Sequence, residues 1–135
     1  TLTPYRNILS GRIAIRESYA PEPLRVRADR SKLKTALRNF VINALESIPK
    51  RGTITVRASG EDGRAVVVID DTGSGMPPEI LDRIFDIYYS TKPSGTGLGL
   101  PIAKKIIEDH GGTLRVSSRP GRGTTVTVSL PLDPE

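Results

Sequence analysis

Glycine occupies every second position of the stretch Gly95-Thr96-Gly97-Leu98-Gly99-Leu100, immediately before an apolar helical pattern. Glycine lets the backbone approach a ligand closely and adopt φ angles that are closed to other residues. The first turn of a helix presents unpaired N–H groups and the positive end of a dipole to an anion. The stretch is therefore a candidate phosphate site. Taken alone, an ordinary loop before an ordinary helix explains it equally well.

Two asparagines stand four residues apart in an earlier segment with helical periodicity. In projection, Asn39, Asn43 and Glu46 fall in a narrow arc beside the apolar face, with Ser47 at its edge. Amide oxygens at the border between core and solvent can coordinate a hard cation such as Mg²⁺. Without further context, a polar helix flank is the simpler interpretation.

A third motif, Asp71-x-Gly73-x-Gly75, leaves a segment that reads as a buried strand. A carboxylate there is costly unless a partner satisfies it. It could accept a hydrogen bond from an exocyclic amine, and the glycines would let a flat ring lie against the backbone. A turn in which the glycines supply positive φ explains the motif equally well.

Several other kinds of site are excluded. No Gly-Lys-[Ser/Thr] follows a glycine turn, no Gly-x-Gly-x-x-Gly follows a first strand, and the protein-kinase motif set is missing. One histidine and no cysteine exclude the usual zinc clusters. We expect that histidine, His110, to pack near a helix C-terminus, where its ring can meet free carbonyls, and not to act as a catalytic or phosphoacceptor group.

Composition narrows the class of protein further. The 135 residues suit one compact domain, and no apolar run approaches the length of a membrane span. The net charge of +5 could serve an anionic partner, but four tyrosines and two phenylalanines give little support to a nucleic-acid stacking platform. The lack of cysteine fits a cytoplasmic location. We therefore expect neither nucleic-acid binding nor membrane contact by this chain.

Hydrophobic periodicity predicts the elements that position these motifs. Strands are predicted at 12–19, 24–28, 53–58, 65–69, 113–118 and 124–130. Helices are predicted from an N-cap at Asp29 to about Ile48, from Pro77 to Ile84, and from the glycine stretch to His110. This order predicts an α/β fold, a two-layer sandwich in which helices pack on one face of a mixed sheet.

The motifs in their order resemble the catalytic ATP-binding domain of sensor histidine kinases, a branch of the GHKL superfamily. The resemblance covers about residues 12–131 and implies the Bergerat ATP-binding fold, with a mixed sheet of five-stranded type. Ser90-Thr91-Lys92, followed closely by Gly95-Thr96-Gly97, resembles the short-lid subclass that includes nitrogen-regulation and oxygen-sensing kinases. The motifs that correspond to the family's N, G1, F and G2 boxes are Asn39-x-x-x-Asn43-Ala44, Asp71-x-Gly73-x-Gly75, Phe85 with Tyr88, and Gly95-x-Gly97-x-Gly99.

The resemblance implies roles for the first two boxes. Asn43 would coordinate the Mg²⁺ that bridges the phosphates of ATP, and Asn39 would support the metal or the phosphates one turn earlier. Asp71 would accept the adenine amine. Gly73 and Gly75 would line the adenine and ribose side of the site.

The resemblance also implies roles for the later residues. Phe85 would anchor a mobile lid, and Thr124 would reach the adenine pocket from the last hairpin. Many family members have Lys at the position of Glu46 and an aromatic residue or His at Ser47, so Lys92 is the candidate for the missing phosphate-binding charge. The residues that would contact nucleotide at the far hinge of the lid are Gly95, Thr96, Gly97, Leu98, Gly99 and Leu100.

One substitution bears on the reaction. Hydrolytic ATPases of the same fold carry Glu where Asn39 stands, and an amide cannot act as a general base toward water. The implied function is therefore transfer of the γ-phosphate of ATP to a histidine of a helical dimerisation domain, and from there to a response regulator receiver domain. Residues 1–11 are expected to connect from that upstream domain, and residues 12–132 to form the ATP-binding domain.

Three less favoured functions remain as alternatives at this point. They are a serine kinase of the anti-sigma type, a nucleotide-binding regulatory module without catalysis, and a basic nucleic-acid binder.

Overall fold

The computed structural model describes residues 13–21, 23–89 and 99–133. Within these residues the chain forms five strands and three helices. The strands are β1 (Ile13–Tyr19), β2 (Gly52–Glu61), β3 (Arg64–Asp71), β4 (Thr113–Arg119) and β5 (Gly123–Pro131), and the helices are α1 (Arg30–Ser47), α2 (Pro78–Leu81) and α3 (Gly99–Asp109).

The strands form one mixed sheet in the order β1-β2-β3-β5-β4. β1 runs parallel to β2, whereas β2–β3, β3–β5 and β5–β4 are antiparallel pairs. The β2–β3 hairpin turns through Asp62 and Gly63, which both have positive φ (50° and 76°), as a tight two-residue hairpin requires. The predicted mixed sheet of five strands is confirmed.

The helices cover one face of this sheet. Alternate residues of the strands point toward α1 and α3, so period-two patterning produces a single apolar face. The largest side chains shielded completely from solvent come from all of these layers: Phe40, Ile54, Ile69, Ile107 and Val128. The predicted two-layer sandwich is confirmed.

α1 begins and ends where its residues predict. The carboxylate of Asp29 accepts a hydrogen bond of 3.1 Å from the backbone N–H of Lys32, which satisfies an otherwise unpaired donor of the first turn. Ala36, Phe40, Val41 and Ala44 form the buried stripe that packs on the sheet and on α3.

Two hydrogen bonds tie α3 to α1, one near each end of α3. The side-chain amide of Asn39 donates to the carbonyl oxygen of Gly99 over 3.2 Å. At the other end, Nε2 of His110 accepts a hydrogen bond of 3.0 Å from the backbone N–H of Asp29, and Nδ1 lies 2.7 Å from the carbonyl oxygen of Ile106. These contacts require the neutral ring with its proton on Nδ1. His110 therefore packs at the helix C-terminus, as predicted.

Glycine ends α3. Gly111 has φ of 74°, its N–H donates to the carbonyl of Glu108, and the N–H of Gly112 donates to the carbonyl of Ile107. This pair of bonds is the Schellman pattern, which satisfies the last free carbonyls of a helix.

The strand expected at 24–28 is wrong. Its pattern of burial does alternate, since Leu24 and Val26 are half-buried and Arg25 is exposed, yet the segment runs beside the sheet without joining a strand ladder. Pro21 and Pro23 precede it, and proline has no N–H with which to extend the pairing of β1. The carbonyl of Arg25 instead accepts from the N–H of Asp133, beyond the end of β5.

α2 is shorter than the helix expected to reach Ile84. After Leu81 the chain continues in tight turns, in which Arg83 donates to the carbonyl of Ile80 and Asp86 to that of Arg83.

In the described ranges, no helix has the combination of length and apolar character needed to span a bilayer.

Candidate functional site

A cavity of about 290 Å³ opens on the helical face of the sheet. This volume lies near the lower end of small-molecule sites, which span roughly 300–1,000 Å³. One wall is the second half of α1, another is the loop after β3, and the third is formed by α2 and the turns that follow it. Its lining residues are Asn43, Glu46, Ser47, Pro49, Ser74, Gly75, Met76, Ile80, Ile84, Tyr89, Leu100 and Thr124.

Asp71 lies behind this lining, between two of its members. It is only 5% exposed, and its Oδ1 accepts hydrogen bonds from the backbone N–H groups of Gly73 (2.8 Å) and Thr124 (3.3 Å). Strand pairing explains the position, because Asp71 is the register partner of Thr124 across β3 and β5. The buried carboxylate is thus held against the cavity by bonds to one of its two oxygens.

The electrostatics of Asp71 reflect this burial. Desolvation raises the pKa of the Asp71 carboxyl above its ordinary value, and the nearby Asp70 charge raises it further. Backbone hydrogen bonds from Gly73 and Thr124 lower this pKa, as does the nearby Ser47 hydroxyl group. A buried acceptor of this kind suits a ligand that donates a hydrogen bond, since the ligand would complete its set of partners.

The two glycines after β3 are needed for space. A Cβ at Gly73 would overlap Ser47, and a Cβ at Gly75 would overlap the carbonyl oxygen of Arg119 on the β4–β5 hairpin. Gly75 also has φ of 70°, a conformation that favours glycine. The loop is therefore pressed between α1 and the hairpin, with Gly75 lining the cavity.

The two asparagines of the motif on α1 take different positions. Asn43 lines the cavity together with Glu46, the residue three positions later. Asn39 does not line it, because its amide is directed at the first residue of α3. The structure therefore brings Asn43 to the cavity and places Asn39 at the helix–helix contact beside it.

The aromatic residues Phe85 and Tyr89, which follow α2, also take different positions. Phe85 is half-buried outside the lining, with the ammonium of Lys104 5.8 Å from its ring centroid. Tyr89 does line the cavity, and the guanidinium of Arg83 lies 4.4 Å from its ring centroid. Arg83 is itself 3.2 Å from the carboxylate of Asp86.

The structure describes only the end of the glycine stretch, Gly99 and Leu100. Lys92, Gly95, Thr96, Gly97 and Leu98 lie outside the described residues. Gly99 is the exposed first residue of α3, and Leu100 lines the cavity.

Several lining residues were not among the candidates from sequence. Met76, Ile80, Ile84 and Tyr89 supply most of the apolar wall. The spacing of Ile80 and Ile84 indicated a helical apolar face, but nothing in the sequence distinguished a face that packs in the core from one that faces a cavity.

The arrangement can bind a flat, partly apolar ring that carries an amine. The apolar wall would cover the ring faces, and Asp71 would accept from the amine. The amide of Asn43 and the carboxylate of Glu46 would supply hard oxygen atoms. No cluster of three or more His, Cys, Asp or Glu side chains suited to a metal occurs in the part of the chain that the structure describes.

Comparison with known proteins identifies the family. Residues 28–134 match the model of the histidine kinase-, DNA gyrase B-, and HSP90-like ATPases. The chain belongs to this family. The expected fold is confirmed. The assignment to the ATP-binding catalytic domains of the histidine kinase branch is confirmed as well.

The relatives of this ATPase domain place it among histidine kinases. Sensor histidine kinase ZraS of Salmonella typhi is 44% identical over 110 residues, which are 80% of this chain and 23% of that protein. The structure of a mycobacterial sensor histidine kinase, MprB, matches with a TM-score of 0.86 at 34% identity and covers 99% of this chain and 91% of that one. The chain thus spans about a quarter of the length of a curated relative that it matches.

A third similarity concerns the nucleotide. Full-length ShkA, whose structure is in complex with AMPPNP, matches with a TM-score of 0.82 at 29% identity, over 97% of this chain and 27% of that one. AMPPNP, a non-hydrolysable analogue of ATP, is thus the ligand of a protein that contains the same fold.

Proposed function

We propose that this ATPase domain is the catalytic domain of a two-component sensor histidine kinase. It binds Mg·ATP and transfers the γ-phosphate to a histidine of a separate helical dimerisation domain, from which the phosphate passes to a response regulator receiver domain. The observation that carries the proposal is a cavity lined by Asn43, with the buried Asp71 carboxylate behind its lining. The cytoplasm, where ATP and receiver domains meet, is the proposed location.

Asp71 defines the adenine end of the proposed site. Its Oδ1 already accepts two backbone hydrogen bonds, and its second oxygen is suited to accept the exocyclic amine of adenine. Gly73 and Gly75 let the loop pack closely against Ser47 and the Arg119 carbonyl beside this end of the site, where Thr124 also lines the cavity. Phe85 is proposed as the anchor of the lid from outside the lining.

Asn43 defines the metal end. Its amide oxygen and the neighbouring carboxylate of Glu46 are hard oxygen ligands of the kind that Mg²⁺ accepts alongside waters and phosphates. The metal would neutralise charge on the phosphates. The proposed phosphate contacts of Lys92, Gly95, Thr96, Gly97 and Leu98 stay predictions, as does the backbone contact of Gly99 and Leu100.

The proposed reaction requires positioning more than acid–base chemistry. Asn39 stands where hydrolytic members of the fold carry the water-activating Glu, and its amide is engaged with the Gly99 carbonyl. Its proposed role is to hold the start of α3 beside the phosphates. Phosphoryl transfer depends mainly on alignment and charge neutralisation, which this arrangement supplies without a base for water.

Replacement of Asn43 tests the site. We expect Asn43→Ala to weaken binding of Mg·ATP by more than about tenfold, measured by titration calorimetry, because a metal ligand is lost while the fold is kept. Binding to wild type should also weaken when EDTA removes the metal, whereas binding to the variant should respond little to EDTA.

Lys34→Ala is the matched control, because Lys34 lies on the exposed side of the same helix. Equal affinities of Asn43→Ala and wild type for Mg·ATP, with both proteins folded by circular dichroism, would remove Asn43 from the metal site.

A further inference from the structure

Ser118 lies outside the cavity lining but contacts two residues that belong to it. This half-buried serine stands near the end of β4, and its Oγ accepts a hydrogen bond of 2.8 Å from the backbone N–H of Met76. The same Oγ is 3.0 Å from the carbonyl oxygen of Gly123 and 2.8 Å from Oγ1 of Thr124. Met76 and Thr124 both line the cavity.

A hydroxyl group has one proton, so Ser118 donates either to the Gly123 carbonyl or to the Thr124 hydroxyl, but not to both. If Ser118 donates to the Gly123 carbonyl, Thr124 must donate to Ser118, and only lone pairs of Thr124 remain for the cavity. If Ser118 donates to Thr124, the Thr124 proton is free to point into the cavity. The proton of Ser118 therefore decides whether the Thr124 hydroxyl acts on a ligand as donor or as acceptor.

The neighbourhood of Thr124 specifies which arrangement suits a ligand. Thr124 and Asp71 are register partners, and the Thr124 N–H donates to the Asp71 carboxylate. A carboxylate can accept from an amine, and a hydroxyl beside it can donate to a ring nitrogen. Together they match the edge of a base on which an amine lies next to such a nitrogen. An acceptor carboxylate beside an acceptor hydroxyl would leave that ring nitrogen without a partner, which is costly in a buried site.

We propose that Ser118 is a positioning and specificity residue for the nucleotide base. It donates its proton to Thr124 when the base is bound, so that the Thr124 hydroxyl donates to the ring nitrogen beside the amine, and it holds the Met76 backbone against the same end of the cavity. Ser118 itself does not touch the base. This inference rests on the proposed function, since it takes the ligand to be ATP with its amine at Asp71.

The test compares ATP with its two deaza analogues, in which one of the two ring nitrogens that flank the amine is replaced by C–H. In wild type, we expect one analogue to bind more weakly than ATP because it lacks the acceptor for Thr124. Ser118→Ala should weaken ATP binding by roughly three- to tenfold, the range for one net hydrogen bond. The ratio of affinities for ATP and that analogue should fall toward one in the variant.

Three further variants separate positioning from general damage. Ser117→Ala is the matched control, because Ser117 adjoins Ser118 but is exposed on the opposite face of β4. Ser118→Thr retains a hydroxyl and should restore discrimination, whereas Ser118→Cys retains the shape with a weak donor and should not. If Ser118→Ala does not fold, the cysteine variant carries the comparison.

The possible outcomes are distinct. A ratio in Ser118→Ala and Ser118→Cys that equals the wild-type ratio, even with weaker binding throughout, overturns the inference, because a merely structural role would reduce both affinities equally. Failure of wild type to bind ATP would instead contradict the proposed function.

Discussion

Asp71 shows how one residue can be unfavourable for the fold and useful for a ligand. It is a carboxyl group buried at 5% exposure, and desolvation raises its pKa despite two backbone hydrogen bonds. Those bonds fix its orientation between Ser47 and Thr124. The residue thus keeps a hydrogen-bond acceptor beside the cavity lining, which a hydrophobic residue of similar size could not supply.

Asp71→Asn should separate these two effects. The amide oxygen can still accept from Gly73 and Thr124, but an NH₂ group replaces the second oxygen and would meet the adenine amine donor to donor. We expect the variant to fold and to lose roughly ten- to hundredfold in ATP affinity, the range for a hydrogen bond to a charged group. Fluorescence competition or calorimetry measures this loss.

The raised pKa adds a pH signature to the same variant. From about 3.9, the pKa of an unfolded Asp, up to the higher folded pKa, the native carboxyl holds a proton that the unfolded chain has released. The free energy of unfolding of wild type therefore falls as pH rises through this window. Asp71→Asn should lack that fall and gain stability relative to wild type between acid and neutral pH.

Asp70→Asn is the control for both measurements, and it should keep most of the fall in stability because burial, and not the charge of Asp70, is the largest cause of the raised pKa of Asp71. Asp70 is adjacent but lies on the other face of β3, where it accepts from the hydroxyl of Thr125 over 2.7 Å. Urea unfolding at several pH values measures the stabilities. Parallel pH profiles for wild type and Asp71→Asn would contradict the role of burial at Asp71.

At the scale of elements, the site depends on the contact between the loop after β3 and the β4–β5 hairpin. The N–H of Gly121 donates to the carbonyl of Ser74 over 2.7 Å, and the position of a Cβ on Gly75 coincides with the Arg119 carbonyl. The two elements are separated by more than 40 residues along the chain. Their contact brings Gly75 and Thr124 to one cavity.

A pair of alanine variants tests that contact. Gly75 and Gly121 have nearly equal positive φ angles of 70° and 74°, but only Gly121 has open space where a Cβ would lie. Gly121→Ala should cost only the backbone penalty of about 1–2 kcal/mol for a left-handed L-residue. Gly75→Ala should cost more and should also weaken ATP binding, because the loop must move away from the hairpin.

Thermal unfolding and ATP titration of both variants provide the measurements. Similar melting temperatures together with similar ATP affinities would show that close packing at Gly75 does not shape the cavity.

At the scale of the whole molecule, the chain supplies the proposed ATP site but no suitable acceptor among its described residues. His110 is the single histidine of the sequence, and both of its ring nitrogens are engaged, one with the Asp29 N–H and one with the Ile106 carbonyl. Phosphorylation of either nitrogen would break one of these bonds and loosen α3 from α1. The proposed acceptor is therefore a histidine of another domain.

Transfer of label from γ-labelled ATP tests this division of labour. When a helical dimerisation domain of the proposed kind is added, label should appear on a histidine of that domain and not on this chain. His110→Gln should leave the transfer intact, because the proposed role of His110 is structural. Acid-labile label on the isolated wild-type chain that disappears in His110→Gln would instead make His110 the acceptor.

Features that depend on residues near one another were determined by the sequence alone. Asp29 as the cap of α1, the apolar stripe through Phe40, and the glycines that end α3 follow from helix periodicity and local hydrogen bonds, and the structure contains all of them. The order of the motifs was enough to identify the family. The acceptor role proposed for Asp71 also arose there, from a carboxylate next to an apolar strand.

Features that depend on pairing across the chain were decided only by the tertiary structure. The segment 24–28 has the alternation of a strand, but strand formation requires a ladder partner, which alternation does not specify. Tyr89 and not Phe85 faces the cavity, because tight turns after α2 set the direction of each ring. The role proposed for Ser118 could be inferred only from the strand register that sets Asp71 opposite Thr124. Such a register is fixed by contacts between residues far apart in sequence.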